Sequence, residues 1–418
     1  MKILIWHGYL LGGTGSNVYT RSLARAWSQA GHDVVVLCQE PHPDRYDLGG
    51  ARVVRPQLDG PLPVFVLDRY EDMQAQLLGQ VTPSDRARFV EQNAAAVRAE
   101  GPADLLLTNH ALLGGPVGAA SGMPYVVKAH GSELEFSMRG DDELCAWARQ
   151  TLAPALAVLA GSQHVAGVLG EVVGTDPARV HVVPPGVDIA QLRPQTRAAA
   201  LASLLAQCAT DAANPWDAYD ERRPDEGNAD RLASFLSGER RTVLYVGKLS
   251  AEKGVSLLVD ALRRVDARAV VVGFWPARPE LEEAAGPDVL FTGPLEHRHL
   301  QHLWPMADVS VTPSVFPEAF GMVAAEAAAC GSPPLVARHS GLAEVAAGLE
   351  QEYPAHLRHL ASFESGSTEQ LTARLTELLE LSAEEWQAVS SAARRAAERL
   401  WSWDHVGQRI LDVARAQQ

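Results

Sequence analysis

The sequence predicts an α/β protein built from two doubly wound, parallel-sheet domains. Three observations carry this. Short apolar, β-branched runs alternate with longer helical stretches almost throughout the 418 residues. Several runs, such as VVVL at 34–37 and LLL at 105–107, are continuously hydrophobic, as strands buried on both faces are. The alternation also occurs as two series, on either side of a polar segment.

In the first series the strands are placed at residues 2–7, 33–38, 52–55, 104–108, 125–129, 157–160 and 180–183. A crossover helix over 17–30 is stopped by Gly31. The second series begins near Thr242 with TVLYVG, then AVVVGF, DVLFTG, DVSVTPS and PPLVAR. Between them, the turn Pro184-Pro185-Gly186-Val187-Asp188 leads into an alanine-rich stretch and then NPWDAYDERRPDEGNADR, which has no apolar period. The expected division is therefore a domain over 1–190, a linker with an inserted helix-and-loop excursion over 191–240, a second domain over 241–398, and a closing helix over 399–418. That helix is expected to pack back on the first domain. Leu400, Trp401 and Trp403 flank a break, and Val406, Ile410, Leu411 and Val413 fall near helical spacing.

Thirty-six basic residues against 51 acidic ones leave a formal charge of −15, which argues against nucleic-acid and anionic-membrane binding. Cys38, Cys145, Cys208 and Cys330 are scattered without a CxxC pair, which argues against a zinc ribbon, an iron–sulfur site or a secreted disulfide framework. The apolar start is interrupted by His7 and runs into a glycine loop, so it reads as a buried strand rather than a signal peptide. No run of 18 apolar residues is present. These features lead to the expectation of a soluble, cytoplasmic enzyme without an integral membrane segment.

Three motifs carry chemistry. Leu11-Gly12-Gly13-Thr14-Gly15 joins strand one to helix one, where glycines allow close backbone approach and helix-start amides attract an anion. Its beginning resembles a dinucleotide fingerprint, with Glu40 as the ribose acid, but Val18 occupies the third glycine position. Lys248 and Lys253, in Gly247-Lys248-Leu249-Ser250-Ala251-Glu252-Lys253-Gly254, follow the first strand of the second domain and suit a diphosphate; two loop lysines can equally be solvated surface. The third motif is Phe316-Pro317-Glu318-Ala319-Phe320-Gly321-Met322-Val323-Ala324-Ala325-Glu326. A carboxylate before the turn and another one turn into the helix can bracket a sugar whose phosphate caps the amides of Met322 and Val323.

The glutamate–seven residues–glutamate pattern, the GKLSAEKG loop, PPGVD, and HGSE at His130–Glu133 together resemble family 4 (group 1) retaining glycosyltransferases of GT-B fold. The resemblance covers nearly the whole chain apart from the insertion. It implies two Rossmann-like domains with a cleft between them and a metal-independent, front-face transfer from a nucleotide-diphosphate sugar, UDP- or GDP-linked, to a hydroxyl acceptor. It implies that Glu318 contacts hydroxyls of the hexose, that Glu326 binds the ribose, and that Lys248 and Lys253 hold the diphosphate. Lys248 departs from the arginine usual there, which replaces a bidentate grip with a point charge. Phe320, Gly321, Met322 and Val323 resemble the turn that receives phosphate and sugar. His130 matches the histidine that approaches the donor sugar, Gly12 and Gly13 the loop that closes on the diphosphate, and Gly293-Pro294-Leu295 the segment whose backbone meets the base. The catalytic set implied is His130, Glu318 and Lys253, with no metal and no cofactor beyond the donor.

No DxD loop is evident, since Asp141-Asp142-Glu143 reads as the acidic start of a helix. The acceptor, a small molecule, glycan or glycoside, is assigned to irregular loops at 56–70 and 112–122. Two other readings remain at this stage: an NAD(P)-dependent oxidoreductase on the first domain, and a non-catalytic protein that binds sugar nucleotides. Oligomeric state is not legible.

Overall fold

The computed structural model describes residues 1–65, 73–131, 133–274 and 276–417. Two compact units result: Met1–Gly186 with Trp403–Gln418, and Val187–Ser402.

Unit 1 carries strands β1 (Lys2–Trp6), β2 (Asp33–Leu37), β3 (Arg52–Val54), β4 (Leu62–Val64), β5 (Ala75–Leu77), β6 (Leu105–Asn109), β7 (Tyr125–Lys128), β8 (Ala157–Ala160) and β9 (Val180–Val182). Seven of them form a sheet in the order β3-β2-β1-β6-β7-β8-β9, with every pair parallel. The short strands β4 and β5 pair with each other, and sequence reasoning placed neither. Because successive side chains of a strand face opposite ways, β1 sends Leu4 and Trp6 into one apolar cluster and Ile3 and Ile5 into the other. That two-sided burial is the physical reason for the continuous hydrophobic runs. The strand order reverses between β1 and β6, so their carboxyl ends border the crevice where such sheets take ligands. The closing helix, Trp403–Ala416, belongs to this unit and packs Val406, Ile410 and Leu411 among Leu23 and Trp27 of the Gly15–Gln29 helix.

Unit 2 holds β10 (Thr242–Val246), β11 (Arg268–Val272), β12 (Val289–Phe291), β13 (Val309–Thr312), β14 (Pro334–Ala337) and β15 (Ser362–Phe363), in the order β12-β11-β10-β13-β14-β15. All five pairings are parallel, and the order reverses between β10 and β13.

Two expectations need correction. Residues 191–240 are not a linker: the helices Arg197–Cys208 and Asn228–Phe235 lie within unit 2 and bury Ala200, Leu204, Leu232 and Leu236 in its core. Arg298 clamps the end of the first of these helices, donating to the Gln207 carbonyl at 3.0 Å and pairing with Asp211. The stretch 112–122 is not a loop either. It forms a wide helical turn, His110–Gly114, and the helix Gly115–Ser121, with Leu112, Leu113 and Val117 fully buried. Gly118 lets that helix lie against Tyr125, whose ring would stand 2.3 Å from an added Cβ. Residues 66–70 of the other assigned acceptor loop, and Ser132 of the HGSE motif, fall outside the described residues.

Candidate active site

In unit 2, the loops after β10 and β13 are sewn together by their backbones. The Glu252 carbonyl accepts from the amides of Val315 (2.9 Å) and Phe316 (3.1 Å) and from Ser314 Oγ (3.2 Å). Gly254, at φ +63°, passes so close to β13 that a Cβ would sit 2.0 Å from the Pro313 carbonyl oxygen. This seam brings Lys253 onto Glu318, and their side chains form an ion pair, both partly exposed. The Glu318 backbone is itself pinned: its amide donates to Ser340 Oγ at 2.9 Å, and its carbonyl accepts from Gly341 at 3.0 Å. Lys248 is exposed, and its carbonyl accepts from the buried Tyr245 hydroxyl at 2.7 Å.

Gly321, at φ +118°, caps the Met322–Ala329 helix without a side-chain hydrogen bond, leaving the first amides to other partners. Phe320 departs from a ligand-facing role in its side chain, which is 5% exposed and packs edge-on against Trp401 at 5.9 Å. Glu326 is buried one turn into the helix and pairs with His297 Nε2 at 3.0 Å. Leu295 is half-buried two residues before His297, and Gly293 abuts the inserted segment, since its Cβ would lie 2.7 Å from Asp225 Oδ1. Neither glutamate has a basic neighbour in sequence, yet in space Lys253 faces one and His297 the other.

In unit 1, His130 follows β7 and sits half-buried at the carboxyl edge of the sheet. Its Nε2 lies 2.7 Å from Asn109 Oδ1, and Tyr19 meets its ring edge-on at 5.2 Å. Burial, then the neighbouring His110, Lys128 and His7, hold its pKa well below the ordinary imidazole value. Glu133, fully buried, accepts from the backbone amides of His130 (2.9 Å) and Ala111 (3.2 Å) and lies 3.3 Å from His110 Nδ1. Burial pushes its carboxyl up, but His110 and the amides outweigh that and leave it below the usual range. Asn109, His110 and His297 lie in no motif that marks them in the sequence, and Glu133 is marked only as part of HGSE.

Gly12 and Gly13 stand at the start of the Gly15–Gln29 helix. A Cβ on Gly12 would strike the Tyr46 hydroxyl at 2.4 Å, whereas Gly13, at φ +90°, has open space. Glu40 is consumed by structure: its carboxylate takes the amides of Leu11 (3.1 Å) and His42 (3.0 Å), so it does not wait for a ribose. That removes the residue on which the oxidoreductase reading leaned.

Among the described residues one grouping of metal-ligating types occurs, Cys208, Asp211 and His299, whose donor atoms lie within 4.8 Å of one another. The Glu296 amide donates to His299 Nδ1 at 3.2 Å, which puts the ring proton on Nε2, facing Asp211 at 3.0 Å. Arg298 takes the same carboxylate, so the grouping works as a clasp for the inserted segment. The Asp141-Asp142-Glu143 run caps a helix, with Asp141 Oδ1 accepting from Leu144 at 3.0 Å. No helix among the described residues is long and apolar enough to cross a membrane.

Comparison with known proteins gives a consistent picture. The model described as glycosyl transferases group 1 matches residues 228–396, and that of glycosyltransferase family 4 matches 13–191. A D-inositol 3-phosphate glycosyltransferase of Xylanimonas cellulosilytica is 34% identical over 207 residues, 47% of this chain and 44% of that one. A GDP-mannose-dependent alpha-(1-6)-phosphatidylinositol dimannoside mannosyltransferase of Mycobacterium tuberculosis is 40% identical over 110 residues, 25% of this chain and 29% of the relative. The aligned stretches thus span less than half the length of these curated relatives. Among solved structures, sucrose-phosphate synthase from Thermosynechococcus elongatus matches with a TM-score of 0.68 and 20% identity, over 99% of this chain and 98% of that one. Anabaena HepE in complex with UDP also scores 0.68, at 19% identity, over 100% of both chains. These likenesses show the fold, two Rossmann-like units of the GT-B class.

Proposed function

This chain belongs to the group 1 glycosyltransferases, and from that premise we propose that it moves a sugar from a nucleoside-diphosphate sugar to a hydroxyl acceptor with retention of configuration. The observation that carries the reading is the Lys253–Glu318 pair, held at the reversal point of the unit 2 sheet beside an uncapped helix start and the buried Glu326. A cation, free amides and two carboxylates are what a diphosphate joined to two polyhydroxylated rings requires. HepE, solved with UDP, supports a nucleotide-linked donor by analogy of fold alone.

Donor binding re-partners the pair. Lys253 turns to the diphosphate with Lys248, and Glu318, released, accepts from hydroxyls of the sugar. The amides of Met322 and Val323 receive phosphate oxygens past the Gly321 turn, and the Phe320 backbone lines the same turn. Glu326, oriented by His297, takes the ribose hydroxyls, and the Leu295 backbone meets the base. Within unit 1, taken by itself, Gly12 and Gly13 are assigned backbone amides for substrate and His130 a substrate hydroxyl. The acceptor oxygen bonds to the anomeric carbon on the face from which the diphosphate leaves, and a phosphate oxygen takes the acceptor's proton. Lys248, Lys253 and the amides stabilise the departing charge, so no divalent metal is needed.

Lys253→Ala tests the placement. Each charge-assisted hydrogen bond to phosphate contributes about 1.5–3 kcal/mol, so nucleoside-diphosphate affinity should fall about ten-fold or more by calorimetry. Unchanged affinity in both Lys253→Ala and Lys248→Ala would reject it.

A further inference from the structure

Three imidazoles gather where β1, β6 and β7 end. His7 and His110 stack at 5.8 Å between centroids, and His110 and His130 lie 4.7 Å apart. Only His130 is more than marginally exposed. Beneath it, Asn109, the last residue of β6, is fully buried. Its Nδ2 faces the Trp6 carbonyl at 3.3 Å. A backbone carbonyl can only accept, so the amide has one orientation, and Oδ1 must be the atom that meets His130 Nε2 at 2.7 Å. An amide oxygen also only accepts, so the imidazole proton sits on Nε2. The ring carries no second proton, because burial and its neighbours His110, Lys128 and His7 disfavour the cation. Tyr19, the remaining ring against it, contributes an aromatic edge and no charge. Nδ1 then holds the lone pair, and it has no hydrogen-bond partner among the described residues.

We infer that Asn109 is a positioning residue that locks His130 as the neutral Nε2–H tautomer, so that the ligand atom His130 meets is a hydroxyl donating to Nδ1. A phosphate or carboxylate oxygen has no proton to give and faces a lone pair there. Glu133 completes the device by clamping the backbone: one oxygen takes the amides of His130 and Ala111, and the other takes the His110 ring. The side chain is held by β6 and the main chain by a buried carboxylate, which leaves the ring little freedom to turn over and offer Nε2 instead. The inference rests on the proposal that His130 faces substrate, and it assigns that contact to a hydroxylated, uncharged part of the ligand.

The test is long-range ¹H–¹⁵N correlation on the full chain with labelled histidine near neutral pH, with His130 identified by loss of its signals in His130→Gln. The expected pattern is a protonated Nε2 and a bare Nδ1. Asn109→Asp keeps the shape but supplies a carboxylate that draws a second proton onto the ring. It should lower kcat roughly ten-fold, the size expected for one misplaced hydrogen bond, and leave KM for the sugar nucleotide within about two-fold. Activity should recover as pH rises and the ring loses that proton. An Nδ1–H ring or an imidazolium in the unmodified protein overturns the inference, as does an Asn109→Asp variant with unaltered ring signals. If that variant fails to fold, the unmodified protein's spectrum still decides. An Nε2–H ring in a protein that turns over no sugar nucleotide sustains Asn109's role and refutes the functional reading instead.

Discussion

Gly254→Ala should break unit 2 at the seam that holds the candidate donor site. Gly254 has φ +63°, a region that costs an alanine about 1–2 kcal/mol. The added methyl would also stand 2.0 Å from the Pro313 carbonyl oxygen and 2.9 Å from its carbon. Ordinary contact begins near 3.4 Å, so a main-chain segment of β13's loop must retreat by more than an ångström. Forcing extra volume into a packed site costs about 1–3 kcal/mol more. The expected loss is therefore about 2–5 kcal/mol. Gly366→Ala is the matched control: it lies in the same unit, at φ +81°, with nothing within 4 Å of the new Cβ, so only the backbone cost applies. Urea unfolding followed by tryptophan fluorescence reads both, and calorimetric titration with UDP and GDP reads the site. Gly254→Ala should be the less stable and should bind the nucleotide at least ten-fold more weakly, because the retreat carries Lys253 with it. Gly366→Ala should bind normally. Equal stability of the two variants, or full affinity in Gly254→Ala, would refute the argument that this close approach positions Lys253.

Other outcomes follow from the same geometry. Turnover should survive excess EDTA, since lysines and helix-start amides are assigned the role of the ion; a strict requirement restored by magnesium would defeat that assignment. Glu318→Gln should lose most turnover through weakened hydroxyl contacts, and intact-mass analysis should show no glycosylated protein; a sugar adduct on Glu318 in the unmodified enzyme would establish a nucleophile instead. Burial lowers the Lys128 pKa from 10.5 to about 7, which means the unfolded chain binds the proton more tightly. The resulting penalty on folding is complete below pH 7 and fades as pH rises to 10.5. Lys128→Met should therefore stabilise unit 1 by a few kcal/mol at most near pH 6, less the roughly 1 kcal/mol hydrogen bond from Nζ to the Val183 carbonyl. That gain should shrink in alkali, and a gain that grows with pH would contradict the sign.

What the sequence disclosed was local. The runs 34–37 and 105–107 are read correctly because both faces of their sheet are covered, which leaves no polar alternation to confuse the period. The glycine loop, the lysine loop and the two glutamates each lie within a dozen residues, so motif spacing alone carries them. The pairings that give those residues their chemistry do not. Lys253 meets Glu318 across 65 positions, His297 meets Glu326 across 29, and Asn109 meets His130 across 21. Each pair joins segments at or beyond the carboxyl ends of different strands, and only the sheet order brings them together. Glu40 shows the opposite case: its position after β2 suits a ribose, but two backbone amides occupy its carboxylate. That the inserted segment belongs to the core of unit 2 is not legible in the sequence, because its order comes from tertiary anchors. Arg298 holds Asp211, and Arg278 and Arg231 hold Asp225, pairings no local period reports. Residues 112–122 are hard to read for a related reason, since small residues such as Gly115 and Gly118 look like loop and serve instead to let a helix pack closely.

The most direct test of the central claim is ¹H NMR of the protein incubated with a panel of UDP- and GDP-sugars and a hydroxyl acceptor, in EDTA, following the anomeric proton. Front-face transfer predicts release of nucleoside diphosphate together with a product whose anomeric coupling matches that of the donor. A product of inverted coupling would contradict the front-face mechanism, and no cleavage of any sugar nucleotide across the panel would contradict the transferase reading itself.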